Sequence, residues 1–187
     1  MALSTDSAVL GVVPDESAIL VEVRSSVGLI SFGTTALSGE FRGSIVNGEI
    51  DLDEPLQASL VLAVQSLTSG RALHDSEMRR RLDAQRYPRI TAELIAARPL
   101  APGRFAVTGD LTIHGRTRRL DAAIDVVVTA ARPVGNVLEA ASGYVVVVSG
   151  TLMIDMCDYD VALPSLVMLR VHPEVSVTFR LTVASGG

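Results

Sequence analysis

Apolar and polar residues alternate along much of the chain, and this two-residue period is the feature that most limits the folds available to it. The pattern is clearest near the end, where residues 175–183 read Val-Ser-Val-Thr-Phe-Arg-Leu-Thr-Val. Successive side chains of a β-strand point to opposite faces, so this segment is predicted to be a strand with one dry face. The apolar set on that face is Val175, Val177, Phe179, Leu181 and Val183.

Two more segments repeat the alternation on either side of a predicted turn at Gly115-Arg116. Together they predict a pair of strands that share one dry face. In the segment 104–114 the apolar positions are Phe105, Val107, Leu111 and Ile113. After the turn they are Leu120, Ala122, Ile124, Val126 and Val128.

Further strands are predicted where short apolar runs are bounded by turn residues. Asn47-Gly48 is a strong hairpin signal because both residues accept a positive φ. The strand 144–154 is apolar on both faces, which predicts that a helix, a loop or a second subunit covers its outer face. The predicted segments are 19–24, 41–46, 48–52, 56–66, 89–96 and 144–154.

The sequence predicts a single helix, at 76–82. Asp75 precedes it as the predicted N-cap, and Glu77 lies in its first turn. Three consecutive arginines, 79–81, lie at its end, and this charge order suits the helix dipole.

These elements predict an all-β fold, an antiparallel sheet of about eight strands with one short helix. The pattern alone leaves a closed barrel and a sandwich open. An eight-stranded barrel has room for one elongated ligand, whereas a sandwich is filled by its own side chains. We assign residues 18–184 to the β-domain and 1–17 to an N-terminal segment.

Three motifs in chain order resemble the YceI-like, polyisoprenoid-binding family. Residues 24–28, Arg-Ser-Ser-Val-Gly, are similar to the family's His-Ser-x-Val-Gly opening. Residues 67–70 and 74–75, followed by Tyr-Pro-Arg-Ile-Thr at 87–91, resemble its strand end, short helix and Tyr-Pro strand entry. Residues 107–117 resemble its Gly-x-Leu-Thr-Ile-His-Gly-x-Thr hairpin almost residue for residue.

The resemblance implies a lipocalin-like barrel whose long apolar cavity binds a prenyl chain with a polar head group near the mouth, often in a homodimer. The chain departs from the family pattern at 29–37, which lacks a second His, and at 154–160, which lacks the Arg and Gly of Ile-Arg-x-x-Phe-Gly. These departures bear on the identity of the ligand.

The candidate ligand-binding residues follow from strand phase and from the arginines of the helix. Guanidinium groups at the mouth of a barrel suit the oxygens of a phosphate-bearing head group, although such a run is also typical of a solvated helix face. The candidates are Phe105, Val107, Leu111, Ile113, Val126, Val177 and Phe179 inside the barrel, with Arg79 and Arg81 on the helix.

No catalytic or metal site is predicted, and no cofactor. The three His residues, at 74, 114 and 172, lack the short spacing of metal ligands. Cys157 lies close to three Asp residues, which disfavour its thiolate. His114 is interpreted as a surface or turn-stabilising residue, with contact to a head group as the alternative.

Charge and composition exclude several classes of partner. The net charge of −5 disfavours nucleic-acid binding, and no apolar run approaches the ~20 residues of a membrane span. The first residues do not read as a secretory signal and there is a single cysteine, so we expect a cytoplasmic protein. All 16 basic residues are arginine, as expected of a GC-rich bacterial genome.

The leading hypothesis is a carrier of a polyisoprenoid or another apolar small molecule. The second is an enzyme acting on a small apolar substrate, which requires ionisable residues that point inward. The third is a ligand-free structural or interaction module with a packed interior.

Overall fold

The fold is a β-barrel with one α-helix, and the computed structural model describes residues 6–130, 143–163, 165–166 and 169–185. Short 3-10 helices span Pro14–Glu16, Val64–Ser66 and Met156–Tyr159, and the helix α1 spans Ala72–Arg81. The strands are β1 Asp6–Val12, β2 Ala18–Ser25, β3 Gly28–Thr34, β4 Leu37–Val46, β5 Glu49–Asp51, β6 Gln57–Ala63, β7 Arg89–Ala101, β8 Arg104–Ile113, β9 Arg116–Ala130, β10 Tyr144–Asp155, β11 Ser165–Leu166 and β12 Leu169–Ala184.

Eight strands close into an antiparallel barrel, in the order β1-β4-β6-β7-β8-β9-β10-β12. The ring closes where β12 returns to β1 and pairs Ala184 with Gly11 and Val183 with Val12. This confirms the predicted barrel and excludes the sandwich. The strand β1 lies within the segment 1–17, for which the sequence predicts no strand.

The long strand β12 has two partners along the edge that faces away from β10. Its last residues pair with β1, and the stretch Val175–Arg180 pairs with β2. The hairpin β2–β3 therefore completes the wall where β1 ends, and Gly33 of β3 bridges to Thr68 beyond β6. Side chains of β2 and β3 thus line the same interior as those of the eight barrel strands.

The two ends of the barrel differ in what covers them. Because β6, β8 and β10 are alternate strands of an antiparallel sheet, they run in the same direction. The helix α1 follows β6 and the 3-10 helix Met156–Tyr159 follows β10, so both lie at the same end, which we call the helical end. The hairpin β4–β5 lies at the opposite end, the hairpin end.

All of the predicted strands are present, and the differences lie at their ends. The segment predicted as one strand over 56–66 stops at Ala63 and continues as a 3-10 helix. The hairpin at Asn47-Gly48 is confirmed, with φ angles of 53° and 80°. The second turn is His114-Gly115 rather than Gly115-Arg116, because Ile113 already pairs with Arg116.

The predicted helix start was wrong. The helix begins at Ala72, four residues before the predicted start, and its N-cap position is Arg71, whose side chain makes no capping hydrogen bond. Asp75 lies inside the helix and turns its carboxylate back toward the preceding loop, where Thr68 and Ser69 donate to it. The carboxylate therefore caps donors of the loop instead of those of its own helix.

The doubly apolar strand β10 has one face in the barrel and one face outside. Val146 points inward and is 1% exposed, whereas the outward-facing Met153 is 55% exposed. Val127, on the neighbouring strand β9, is also exposed on the outer face. The covering of this face by a second subunit stays a prediction.

The close packing of β4 against β6 in the barrel wall can be tested by substitution of Gly39. A Cβ at Gly39 would collide with the backbone of Ser59 and Leu60, which cannot move without disturbing the ladder. We expect Gly39→Ala to lower the free energy of unfolding by ~1–3 kcal/mol. Gly11→Ala is the matched control, because a Cβ there meets no atom within 4 Å. Equal urea midpoints for the two variants would contradict the close approach.

Candidate functional site

The barrel encloses an apolar cavity of about 500 Å³. Its lining runs from the β4–β5 hairpin, through the inward faces of the strands, to α1. All seven interior residues that were predicted from the alternation of side chains along the strands line this cavity. They are Phe105, Val107, Leu111, Ile113, Val126, Val177 and Phe179.

Packed clusters lie toward both ends of the interior. At the helical end, Ile113, Tyr159 and Val175 are between 1% and 5% exposed. At the hairpin end, Ile45 and Val146 are 0% and 1% exposed. The interior is thus filled by side chains near both ends.

The middle of the interior is not filled. Val107 and Leu111 of β8 and Val177 of β12 point inward and yet are only half-buried. Inward side chains of a solid core would be fully buried, so these residues face empty space. Small side chains are the cause: the chain contains four Phe and no Trp, and the strands β7 and β9 contribute the inward alanines Ala92 and Ala122.

The helix α1 places polar groups at the helical end of the cavity. His74, Glu77 and Arg81 are spaced so that they share one face of the helix, and all three line the cavity with Met78 between them. Arg81 Nε donates to Glu77 Oε1 at 2.7 Å, and Arg81 Nη1 donates to the carbonyl oxygen of Ala162 at 3.0 Å. The cavity is therefore apolar along its length, and ionisable side chains of α1 contribute to its wall at this end.

Arg80 and Arg81 together fix the charge of Glu77. Hydrogen bonds from Arg80 and then from Arg81 lower the pKa of Glu77 to about 2. The carboxylate is consequently ionised at neutral pH, and its single negative charge is shared between the guanidinium groups of Arg80 and Arg81.

The YceI-like domain family matches residues 12–183, nearly the whole chain. The chain belongs to the YceI-like family. Comparison with curated proteins gave no match.

Solved structures share the YceI-like fold at low sequence identity. BcnA of Burkholderia cenocepacia is 18% identical, with a TM-score of 0.71 over 91% of this chain and 98% of its own. A polyisoprenoid-binding domain from Saccharophagus degradans, implicated in plant cell wall breakdown, is 18% identical, with a TM-score of 0.69 over 97% and 100% of the two chains. The YceI protein of Campylobacter jejuni is 12% identical, with a TM-score of 0.56 over 75% of each chain. At these identities the likeness concerns the fold.

The two arginines named as candidate site residues differ in position within this YceI-like barrel. Arg81 lines the cavity. Arg79 does not, because its Nη2 donates to the carbonyl oxygens of Gln65 at 3.1 Å and Leu67 at 3.4 Å and ties α1 to the loop after β6. Sequence reasoning missed His74 and Glu77 as cavity residues, although their helical spacing from Arg81 could have indicated them.

His114 occupies the hairpin turn, in agreement with its interpretation as a turn-stabilising residue. It adopts a positive φ of 50°, its Nδ1 lies 3.1 Å from the carbonyl oxygen of Tyr159, and its ring lies edge-on to Tyr87 with centroids 5.0 Å apart. Cys157 is exposed, and partial desolvation together with the Asp155 carboxylate raises the pKa of its thiol. The thiolate is therefore disfavoured at neutral pH, as the sequence predicts.

Two further findings concern the part of the chain that the structure describes. Within it, no three His, Cys, Asp or Glu side chains are grouped so that they could hold a metal ion. Among the same residues, no helix is long and apolar enough to cross a membrane.

Asp75 determines how α1 is held over the cavity, and its ionisation can be tested. It is 7% exposed and accepts hydrogen bonds from Ser69 Oγ and Thr68 Oγ1 at 2.6 Å and from Ser69 N at 2.7 Å. The side-chain bonds from Ser69 and then Thr68 lower the pKa of Asp75 to about 2. Since the folded-state pKa is lowered, this stabilisation is complete above the unfolded value of about 4 and is lost as the pH falls toward about 2.

We therefore expect Asp75→Asn to unfold at a lower urea concentration than the wild type at pH 7. The difference should shrink steadily between about pH 4 and about pH 2, where the wild type loses the same interaction. Asp53→Asn, at an exposed position, serves as the control. A difference between Asp75→Asn and wild type that does not change with pH would contradict the assigned role of the carboxylate.

Proposed function

We propose that this YceI-like chain binds and carries an apolar lipid of the polyisoprenoid class in its barrel interior. One observation carries the proposal: the inward residues Val107, Leu111 and Val177 remain half-buried around an apolar space of about 500 Å³. Ligand sites are commonly apolar cavities of this order with a few polar groups at defined places. An elongated hydrocarbon fits a cavity that runs along a barrel.

The energy of binding would come from burial of the chain. Each methylene removed from water contributes ~0.8 kcal/mol, so a few isoprene units can offset the loss of translational and rotational freedom. Membrane lipid offers the same chain a similar gain, and the barrel therefore has to enclose its ligand well. The unfilled middle between two packed ends supports such an enclosure.

The proposed ligand contacts combine the interior set with one residue of the helix. They comprise the seven residues named from strand phase and Arg81. Arg79 is left out because it does not line the cavity and donates to the backbone carbonyls of Gln65 and Leu67. The polyisoprenoid class is supported by the Saccharophagus degradans domain, a polyisoprenoid-binding domain of the same fold.

We propose further that the chain acts without catalysis. Ionisable side chains of α1 do line the helical end of the cavity. A general base needs a pKa near the working pH, however, and the arginine-paired Glu77, with its pKa of about 2, does not meet this requirement. The exposed Cys157, whose pKa is raised, is a poor nucleophile. Cytoplasmic residence and a homodimer stay predictions.

Filling the cavity tests the carrier function. Val107→Trp places a large ring across the unfilled middle and should lower the lipid that co-purifies without detergent by about tenfold or more, because the ring obstructs the path of an elongated chain. Lipid would be extracted with organic solvent and quantified by mass spectrometry. Val127→Trp is the matched control, since that valine is 60% exposed on the outer face of the barrel.

Thermal unfolding of both variants distinguishes the hypothesis of a carrier with an open cavity from that of a ligand-free module with a packed interior. A ligand cavity predicts that Val107→Trp keeps its fold and loses its lipid. If the interior is a packed core, the same change should destabilise the protein by ~1–3 kcal/mol. Loss of stability with no change in bound lipid would refute the proposed function.

A further inference from the structure

We propose that the helical end of the barrel carries a docking surface for a lipid bilayer that contains anionic lipids. This surface, which we call the tip surface, is formed by the tip of the β2–β3 hairpin with the adjoining start of β12 and by the start of α1. Docking goes beyond the proposed function, because it concerns the outside of the barrel and not its interior. The members of the tip surface are three exposed apolar side chains and three exposed arginines: Val27, Leu29, Leu73, Arg24, Arg71 and Arg170.

The β2–β3 hairpin projects at the helical end. Because β12 is antiparallel to β10 and β2 is antiparallel to β12, β2 runs in the same direction as β10 and its turn lies at the helical end. The strand β3 is bridged to the wall at Gly33, which pairs with Thr68 shortly before α1. Its first residue, Gly28, lies ~16 Å of extended chain from Gly33. The tip therefore extends beyond the bridge that holds β3, on the side where α1 begins.

The apolar side chains of the tip surface are largely in water. Val27 and Leu73 are 72% and 79% exposed, and Leu29 is 58% exposed. Leu29 lies on the outer face of β3, since its neighbour Ile30 lines the cavity. Exposed apolar residues rimmed by polar ones mark contact sites with membranes or with other proteins. A hairpin tip and a helix start are convex, so they suit insertion between lipid headgroups better than the close-packed contact of two folded proteins.

Three arginines flank these apolar side chains. Arg24 lies opposite Leu29 in the hairpin ladder, and Arg170 is held beside the turn because its backbone bonds to Ser26 at 2.8 Å and 3.1 Å. Arg71 is the residue immediately before α1. Within the described part of the chain, the side chains of these arginines make no ion pair. Their guanidinium groups are therefore available to the phosphate oxygens of lipid headgroups.

The hairpin end carries charge of the opposite sign. Residues 47–56 contain four carboxylates and no arginine. The next outward side chain along β2 from Arg24 is the half-buried Glu22, which lies farther from the tip. Charges act on a membrane surface only within about a Debye length, ~8–10 Å, so the net charge of −5 does not prevent docking through the tip. An anionic bilayer would attract the tip surface and repel the hairpin end. The end of the cavity lined by α1 would then face the membrane.

Flotation with vesicles tests the docking surface. The full chain is mixed with vesicles of phosphatidylcholine, either alone or with about 30% phosphatidylglycerol, and is expected to float with the anionic vesicles at low salt. Arg24→Gln combined with Arg170→Gln should lower the partition coefficient by about tenfold or more, because each arginine near an anionic surface contributes about fivefold. Val27→Ser combined with Leu73→Ser should also lower it by about tenfold or more, because two apolar side chains no longer insert.

Matched controls lie away from the tip surface, and thermal unfolding checks that every variant is folded. Arg98→Gln combined with Arg104→Gln changes two exposed arginines of β7 and β8, and Leu100→Ser combined with Val127→Ser changes two exposed apolar residues of the wall. Both should float as the wild type does. Val107→Trp should also float as the wild type does, because it obstructs the cavity and leaves the tip surface unchanged.

The proposal is overturned if neutral and anionic vesicles bind the protein equally, or if the tip variants and their controls lower binding alike. It is also overturned if the wild type floats with neither vesicle. Self-association in light scattering that the tip variants abolish would then assign the tip surface to contact between two copies of the chain. If the wild type carries no lipid and still floats with anionic vesicles, the proposed function fails and the docking surface stands.

Discussion

Closure of eight strands into one antiparallel barrel is the constraint on which the rest of the structure depends. The number of strands sets the diameter of the interior, and the side chains that point inward have to fill whatever space results. In this chain they fill the two ends, around Tyr159 and Ile45, and leave the middle open. The cavity is thus a consequence of strand number combined with small inward residues such as Ala92 and Ala122.

The side chains of α1 at the helical end make this end of the apolar cavity chemically different from the other. Bonds from Thr68 and Ser69 to Asp75, and from Arg79 to the carbonyls of Gln65 and Leu67, attach α1 to the loop after β6. The face that carries His74, Glu77 and Arg81 is thereby held against the cavity. A ligand chain in the barrel would meet polar groups there and apolar side chains along the rest of its length.

The barrel strands and the residues that line the cavity could be predicted from the sequence because apolar and polar residues alternate through β8, β9 and β12. Every inward residue of those strands that strand phase named as a candidate lies in the cavity wall. The strand β3 escaped prediction because Leu29 and Ile30 are adjacent apolar residues on opposite faces, and Leu29 is 58% exposed. The strand β1, Asp6–Val12, was not predicted because it is short and carries Gly11 within its apolar run. It pairs with β4 and β12, and β12 is far away in the sequence.

The start of the helix was harder to predict than the strands. Arg71 offers no capping signal, and Leu73 is 79% exposed, so neither local sequence nor apolar phase indicated the true start. The start depends instead on the contacts of Asp75 with the loop. Residues two apart in a helix do not share a face, so Arg79 and Arg81 face different surroundings wherever the helix begins.

A crystal structure of the protein, purified without detergent, would test most directly whether the interior is a ligand site. The account predicts one continuous, elongated density that runs between Val107 and Val177 and ends beside His74. An interior without such density, in which the side chains of Val107, Leu111 and Val177 have moved together to close the space, would contradict it.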